Sequence, residues 1–494
     1  MSKLYIKIFS LSSIYSFGSL AQNAVAVLLL PLYTTYLAPA DYGILALMDL
    51  TILLISKLVE PPLNNALNRF YYKPEYQEHN GILLFNLLLV LVTLVTFLAA
   101  IYWFFSDLLV RFLFDGDQAF RHIVQIYAAL LVLECLSSFL LAYVRLRELA
   151  KYFVFVSLSK LLLSTGLIVY LLTVRQLGVV GVIYGQIFGL CYLTLMLLPV
   201  MLRRVTFKVS PTIVKEPLQF GYPMVISGYS NLLLESGDRY ILNIFTSVSG
   251  VGLYSFGYKI ASLLNTALIV PVNQAIFPTV YQKEGNPEEQ KRFIATTATY
   301  YYAIGIFMAL GVSLLARELI MLLATSPEFL AAWVVVPVIA FSYVQYGLGR
   351  FFKWGALLRN KTFHLSMMVL VSAVINIGLN FLMIPRWGIL GAALATLIAY
   401  EFWNGMMLHY CLKFYDLRFE LGRLGHITVV GVGLYLLSLF VANTGSLVVD
   451  ILIKLLLLST YPLLLFLTGF FISKEKSYLR EIRLKAFAKI KAAI

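Results

Sequence analysis

Apolar runs of roughly twenty residues recur along the whole chain. Each is long enough to cross the ~30 Å hydrocarbon core of a bilayer as a helix. No other feature restricts the fold as strongly. The connections between the runs are short, and polar residues nowhere collect into a block that could form a soluble domain. Composition agrees: 61% of the 494 residues are hydrophobic and 13% charged, against about 25% charged in a soluble domain. The sequence therefore predicts an all-α polytopic membrane protein.

The runs resolve into about fourteen spans, near 10–30, 43–59, 82–104, 121–144, 152–173, 178–201, 219–245, 251–274, 294–315, 330–349, 364–384, 388–411, 425–442 and 447–472. With the N-terminus inside, Lys3 and Lys7, Arg69 and Lys73, Arg145, Arg147 and Lys151, and Arg203 and Arg204 all fall on the cytoplasmic side, as the positive-inside rule requires. The net charge of +14 is thus mostly a topology signal, and nucleic-acid binding is not needed to explain it. The tail 474–494 is basic with apolar residues at helical spacing, which suits an amphipathic cytoplasmic helix on the inner leaflet or a solvated tail. Cys135, Cys191 and Cys411 lie inside apolar runs without paired or metal-ligand spacing, and read as small core residues.

One span departs from the apolar pattern. Ser227, Asn231, Glu235, Arg239 and Asn243 recur every four residues and form a slowly drifting polar stripe, with Asp238 beside it. An ionisable residue at mid-bilayer costs roughly 2.5–3.5 kcal/mol on insertion scales, so it should face a cavity or a partner. The stripe reads as the wall of a polar cavity; the alternative is a Glu235–Arg239 pair that neutralises itself within a helix bundle. Span one carries a matching stripe of Ser12, Ser16, Ser19 and Asn23, so the two helices would line a central cavity between them.

Internal repetition sets the architecture. Gly181, Gly185 and Gly189 align with Gly391, Ala395 and Ala399 at an offset of 210, and Tyr42-Gly43 aligns with Val251-Gly252 at an offset of 209. Small residues every fourth position let helix backbones approach closely in lipid. The expected organisation is an N-lobe over 1–215 (spans one to six), a C-lobe over 216–415 (spans seven to twelve), two appended helices over 416–473 and the tail over 474–494. An even number of spans per lobe relates the two by an axis along the membrane normal, a transporter plan in which one half rocks against the other.

Phe17-Gly18, then Pro31 through Pro39-Ala-Asp41-Tyr42-Gly43, then Asn68-Arg69-Phe70-Tyr71, resemble the start of the polysaccharide (Wzx-type) flippases of the MOP exporter superfamily. Asp238-Arg239-Tyr240, Gly252-Leu253-Tyr254 and Tyr258-Lys259 through Pro278 resemble that family's seventh and eighth spans. The resemblance covers nearly the whole chain. It implies a flippase that carries polyprenyl-diphosphate-linked oligosaccharides from the inner to the outer leaflet of the cytoplasmic membrane, among membrane lipids, without a cofactor. It also brings in the polysaccharide polymerase and glycosyltransferases of such a pathway as partners.

Such a cargo needs a cation for its diphosphate. Arginine suits this role because its planar fork donates bidentately and stays charged. Arg239 is the first candidate, followed by Lys259 and Arg69, with Lys57 and Lys160 either further candidates or snorkelling residues. Asn23, Asn231 and Asn243 are the expected polar lining. Glu235, Asp238 and Asp49 are candidates for ion or proton coupling, or fixed partners of buried cations. Lys454 lies outside the repeats and reads as structural or partner-facing.

Three rivals remain. Asp115-Gly116-Asp117 superficially matches a glycosyltransferase metal motif, but Asp-Gly in a short loop is ordinarily a turn, and no loop is long enough for a catalytic domain. A multidrug/ion antiporter of the same superfamily and a peptidoglycan-precursor flippase share the expected fold. No Gly-Lys-Ser/Thr phosphate loop occurs, so energy should come from an ion gradient, a substrate gradient or downstream consumption.

Overall fold

The computed structural model describes residues 25, 27–283, 285–359, 361–440, 446–471 and 475. Asn23, the remaining stripe of span one (Ser12, Ser16 and Ser19), the side chain of Ser227 and nearly all of the basic tail lie outside the described residues.

In chain order the helices are α1 (Leu30–Tyr36), α2 (Pro39–Ser56), α3 (Glu60–Phe70), α4 (Asn80–Phe104), α5 (Ser106–Leu113), α6 (Arg121–Leu146), α7 (Ala150–Thr173) and α8 (Gly178–Leu202). A second series comprises α9 (Pro211–Gly221), α10 (Met224–Ser236), α11 (Asp238–Phe245), α12 (Val248–Ala261), α13 (Val270–Gln282) and α14 (Pro287–Leu314). It continues with α15 (Ala316–Leu323), α16 (Val335–Phe352), α17 (Trp354–Leu358) and α18 (Thr362–Tyr415), and ends with α19 (Leu421–Ser438) and α20 (Leu447–Leu467). Helices dominate because hydrocarbon offers no partner to a free backbone N–H or C=O, and a helix satisfies both internally.

Among the described residues, 11 helices are long and apolar enough to cross a membrane. One of them is α18, which is really two arms. Gly388 sits at φ 54°, ψ −130° between them, a conformation that glycine adopts without a Cβ penalty, and Pro385 just before it withholds a backbone donor. The arms correspond to the expected spans 364–384 and 388–411. The expected span 219–245 is divided among the end of α9, α10 and α11, the last two covering 224–245. The expected span 251–274 differs: α12 is followed by a π-helical turn over Asn265–Ile269 and then by α13, which runs on to Gln282. Pro271 cannot donate to the preceding turn, and a π bulge is a common way of absorbing that defect. The expected span 43–59 starts earlier, at Pro39, because Asp41 accepts from the Ala38 N–H at 3.0 Å and closes the first turn. Asp115 (φ 51°) and Gly116 (φ 83°) form a left-handed turn.

The helices form two packing groups. In the first, α6 packs on α3, α4 and α8, and α7 packs on α8. Ser164 of α7 donates to the Gly185 carbonyl at 2.8 Å, a closeness that the small residues of α8 permit. In the second, α16 packs on α14 and α18, α10 and α11 pack on α18, and α19 and α20 lean on α14. Lys454 of α20 pairs with Glu318 of α15, tying the appended helices to the second group.

The groups meet chiefly where α2 crosses α12. A Cβ on Gly252 would lie 2.9 Å from the Gly43 nitrogen and closer still to the Pro39 carbonyl oxygen. A Cβ on Gly43 would overlap the Val248 carbonyl in the same way. Further contacts flank the crossing. Thr325 N–H donates to Thr34 Oγ1 at 3.0 Å, Tyr240 and Thr51 hydroxyls lie 2.8 Å apart, and Tyr229 donates to the Leu54 carbonyl at 2.5 Å.

Candidate functional site

The polar segment at the α10–α11 junction lies against α12 and the second arm of α18. Asp238 opens α11 and is 1% exposed. Its Oδ2 accepts from Tyr254 of α12 and, at 3.3 Å, from Thr396 of α18. Arg239 follows it, with Nη1 3.5 Å from Asp238 Oδ1. The guanidinium lies over the Tyr258 ring at 4.7 Å and the Tyr254 ring at 5.7 Å. A charge taken out of water is tolerated when it is paired, hydrogen-bonded or laid on an aromatic face. Arg239 has the carboxylate and two rings, but its Nη1 has no hydrogen-bond partner among the described residues.

Arg239 faces a cavity of about 310 Å³ built from both packing groups. The first group supplies Tyr33, Tyr42, Asp49 and Gln186, and the second supplies Ser236, Arg239 and Ser255. That volume lies at the lower end of the ~300–1,000 Å³ usual for ligand sites. Asp49 is accessible from within the cavity although protein surrounds it. Its Oδ1 accepts from the Tyr127 hydroxyl at 2.9 Å, and its charge interacts with that of Lys259 on α12. A cation and an anion from opposite halves thus share one small chamber.

The other residues expected from the sequence are placed differently. Asp238 stands behind Arg239 as its buried partner and is not among the residues lining the cavity. Asn243 donates to the Leu113 carbonyl at 2.9 Å, bridging α11 to α5 of the other group. The polar stripe drifts by a fraction of a turn at each fourth residue, so its last member leaves the cavity wall. Asn231 is exposed on α10, and the Glu235 carbonyl accepts from Tyr258 at 3.2 Å. Arg69 lies in the last turn of α3, its guanidinium 4.0 Å from the centre of the Phe220 ring. Lys57 and Lys160 both interact with the charge of Glu134 inside the first group.

Near Arg69, Lys73 pairs with Glu75 at 2.8 Å and with Glu216 of α9 at 3.0 Å. Hydrogen bonds to Glu75 and then Glu216 raise the Lys73 ammonium above its ordinary value, and the bond from Lys73 holds the Glu216 carboxyl below its own.

Gln186 and Ser255 escaped the sequence reading. Each sits on a largely apolar helix and belongs to no polar stripe that would mark it. Ser255 does fall one turn before Lys259, which could have drawn attention to it.

A family model described as "Polysaccharide biosynthesis protein" matches residues 35–332. The chain is 26% identical over 211 residues to the "Probable low-salt glycan biosynthesis flippase" of Haloferax volcanii, a match covering 42% of this chain and 43% of that protein. The aligned part therefore spans less than half of that relative's length. The fold is similar to that of a lipid II flippase in an inward closed conformation, with a TM-score of 0.74 and 14% identity over 91% of this chain and 97% of that one. It is also similar to an inward-facing multidrug resistance MATE family transporter of the MOP superfamily, with a TM-score of 0.62 and 13% identity over 80% of this chain and 93% of that one. At such identities the likeness shows the fold: this is a multi-pass helical membrane protein of that type. The family match spans more than half of the sequence, and the chain belongs to the polysaccharide biosynthesis protein family.

Proposed function

We propose that the protein flips polyprenyl-diphosphate-linked polysaccharide repeat units across the cytoplasmic membrane by alternating access, with both termini in the cytoplasm. The observation that carries this reading is the Arg239 guanidinium, a cation on the wall of a cavity shared by both halves. A diphosphate offers the acceptor oxygens such a donor requires, and a guanidinium can meet two of them at once. Lys259 and Arg69 serve the same cargo on its way, Lys259 beside the cavity and Arg69 at the cytoplasmic end. The prenyl chain stays in lipid while the headgroup crosses.

The halves rock about the α2–α12 crossing, with the lobes 1–215 and 216–415 as the moving bodies and 416–473 travelling with the second. The cavity is too small for a whole oligosaccharide. It represents the narrow stage at which the headgroup alone is enclosed. A polysaccharide polymerase and glycosyltransferases would supply and consume the cargo.

Asp49 on the cavity wall favours a second reading, a cation-exporting antiporter of the same superfamily. The deciding experiment follows leaflet exposure of a fluorescent polyprenyl-diphosphate oligosaccharide in proteoliposomes, for the wild type and Arg239→Ala. Movement that Arg239→Ala abolishes supports the flippase. A lipid that stays put while a cationic dye moves down an ion gradient supports the antiporter.

A further inference from the structure

α16 ends in two cations. Arg350 lies in its last turn and Lys353 caps it. The Arg350 guanidinium rests 4.9 Å from the centre of the Tyr346 ring and donates to the Tyr346 hydroxyl at 2.9 Å. Lys353 is half-buried, and its side chain makes no hydrogen bond or ion pair among the described residues. Its nearest charge is the like charge of Arg350. By contrast, Lys73, Lys291 and Arg423 each pair with a carboxylate. Two like charges held together away from bulk water are costly unless something offsets them. The helix dipole offsets little here. α17 follows at once, and the Leu357 N–H donates to the Lys353 carbonyl, so the free carbonyl end lies farther on. Trp354 comes directly after the pair. Its ring centre is 5.4 Å from that of Phe277 and 5.8 Å from that of Tyr281, both on α13. Trp354 is buried, whereas Phe277 and Tyr281 are 51% and 40% exposed. Two unpaired cations thus stand one helical turn or less along the chain from an aromatic shelf.

An anion with an apolar tail suits both parts at once. Phosphate oxygens accept from the ammonium and from the arginine fork, and a hydrocarbon tail gains by covering exposed rings. We propose that Arg350 and Lys353 form a loading site for the phosphate end of a polyprenyl-linked lipid, with its first isoprene units on Phe277 and Tyr281. This rests on the flippase reading above and adds to it where the cargo is held before it reaches Arg239. The loading site is separate from the cavity, since neither Arg350 nor Lys353 lines it. The two are linked through Glu235 of α10, whose carboxylate interacts with the charges of both Arg239 and Arg350. Anionic phospholipids share the phosphate, and the experiment separates them from the cargo.

The test is photo-labelling of the purified full chain in phosphatidylcholine nanodiscs. The probe is a polyprenyl diphosphate with a diazirine on its first isoprene unit, and mass spectrometry locates the label. In the wild type the label falls on Phe277, Tyr281 or Trp354. Arg350→Gln and Lys353→Gln each reduce labelling there about tenfold, the weight of one hydrogen bond to a charged group, and Lys353→Arg retains it. Lys361→Gln removes an exposed cation farther along the same basic segment and leaves labelling unchanged. Excess phosphatidylglycerol competes poorly. Unchanged labelling in both Arg350→Gln and Lys353→Gln overturns the proposal. An equal loss in Lys361→Gln also overturns it, because diffuse positive charge would then attract the lipid. Phosphatidylglycerol that competes as well as unlabelled polyprenyl diphosphate makes this a general phospholipid site and overturns the assignment to cargo. Lys353 has no partner to strand, so Lys353→Gln keeps the test open if Arg350→Gln fails to fold. Label confined to Tyr33 and Tyr42 of the cavity overturns the loading site and leaves the flippase reading standing. A probe that labels neither place refutes that reading itself.

Discussion

Gly43 and Gly252 pack against each other at the crossing of α2 and α12, each against the backbone of the helix that carries the other. Gly43 meets Val248 and Gly252 meets Pro39, and the offset of 209 residues that relates the two glycines also relates Pro39 to Val248. Reciprocal contacts of this kind are the mark of a two-fold relation. Here the relation joins two helices of one chain, and residues of both, Asp49 of α2 and Ser255 of α12, line the cavity with Arg239.

Gly43→Val and Gly252→Val should therefore harm the protein to similar degrees, since each drives a side chain into the other helix's backbone. Overpacking typically costs about 1–3 kcal/mol, and contact with backbone places these at or above the top of that range. Thermal unfolding of the detergent-solubilised variants should show matched decreases. A large effect at one glycine and none at the other would contradict the symmetric crossing.

Arg239→Ala should lower both transport and the amount of folded protein, because it strands Asp238 in an apolar site. Removing one member of a buried pair costs about 3–5 kcal/mol. The double variant Asp238→Asn/Arg239→Ala removes the stranded charge, so folded protein should recover while transport does not. If transport recovers as well, Arg239 serves only to neutralise Asp238. Arg239→Lys should retain charge but lose the bidentate fork, giving weak transport.

Asp49→Asn should leave the fold nearly intact, since the amide oxygen still accepts from Tyr127 and a hydrogen bond of this type is worth about 1 kcal/mol. If Asp49 couples transport to an ion or proton, transport in the variant should no longer respond to an imposed ion gradient. A normal response would remove Asp49 from coupling and leave it as the counter-charge of Lys259.

The Lys73–Glu216 contact should be stable over a wide pH window. Lys73 is raised in the folded state, so its contribution is complete below its unfolded value and is lost as pH climbs through the folded one, above about 10.4. Glu216 is lowered, so its contribution is complete above about 4.3 and is lost as pH falls through the depressed folded value. Carbodiimide cross-linking of Lys73 to Glu216, read by mass spectrometry at pH 5 and pH 7, should find the same pairing at both. Both residues are exposed, and Glu216→Gln should change stability little.

The apolar helices, the equivalence of Gly43 with Gly252 and the polar segment around Arg239 were all legible in the sequence. A chain that must satisfy its backbone in hydrocarbon reveals its helices through length and hydropathy alone, and two copies of one pattern reveal a repeat. Tertiary structure decided the partners. Only the packing of α11 between α12 and α18 brings Tyr254 and Thr396 onto Asp238, and only the meeting of the two groups puts Gln186 and Ser255 on the same cavity as Arg239. Helical spacing fixes which residues share a face, but the hydrogen bonds and charges that face will meet come from other helices, 16 residues away for Tyr254 and 158 for Thr396, and no local pattern encodes them.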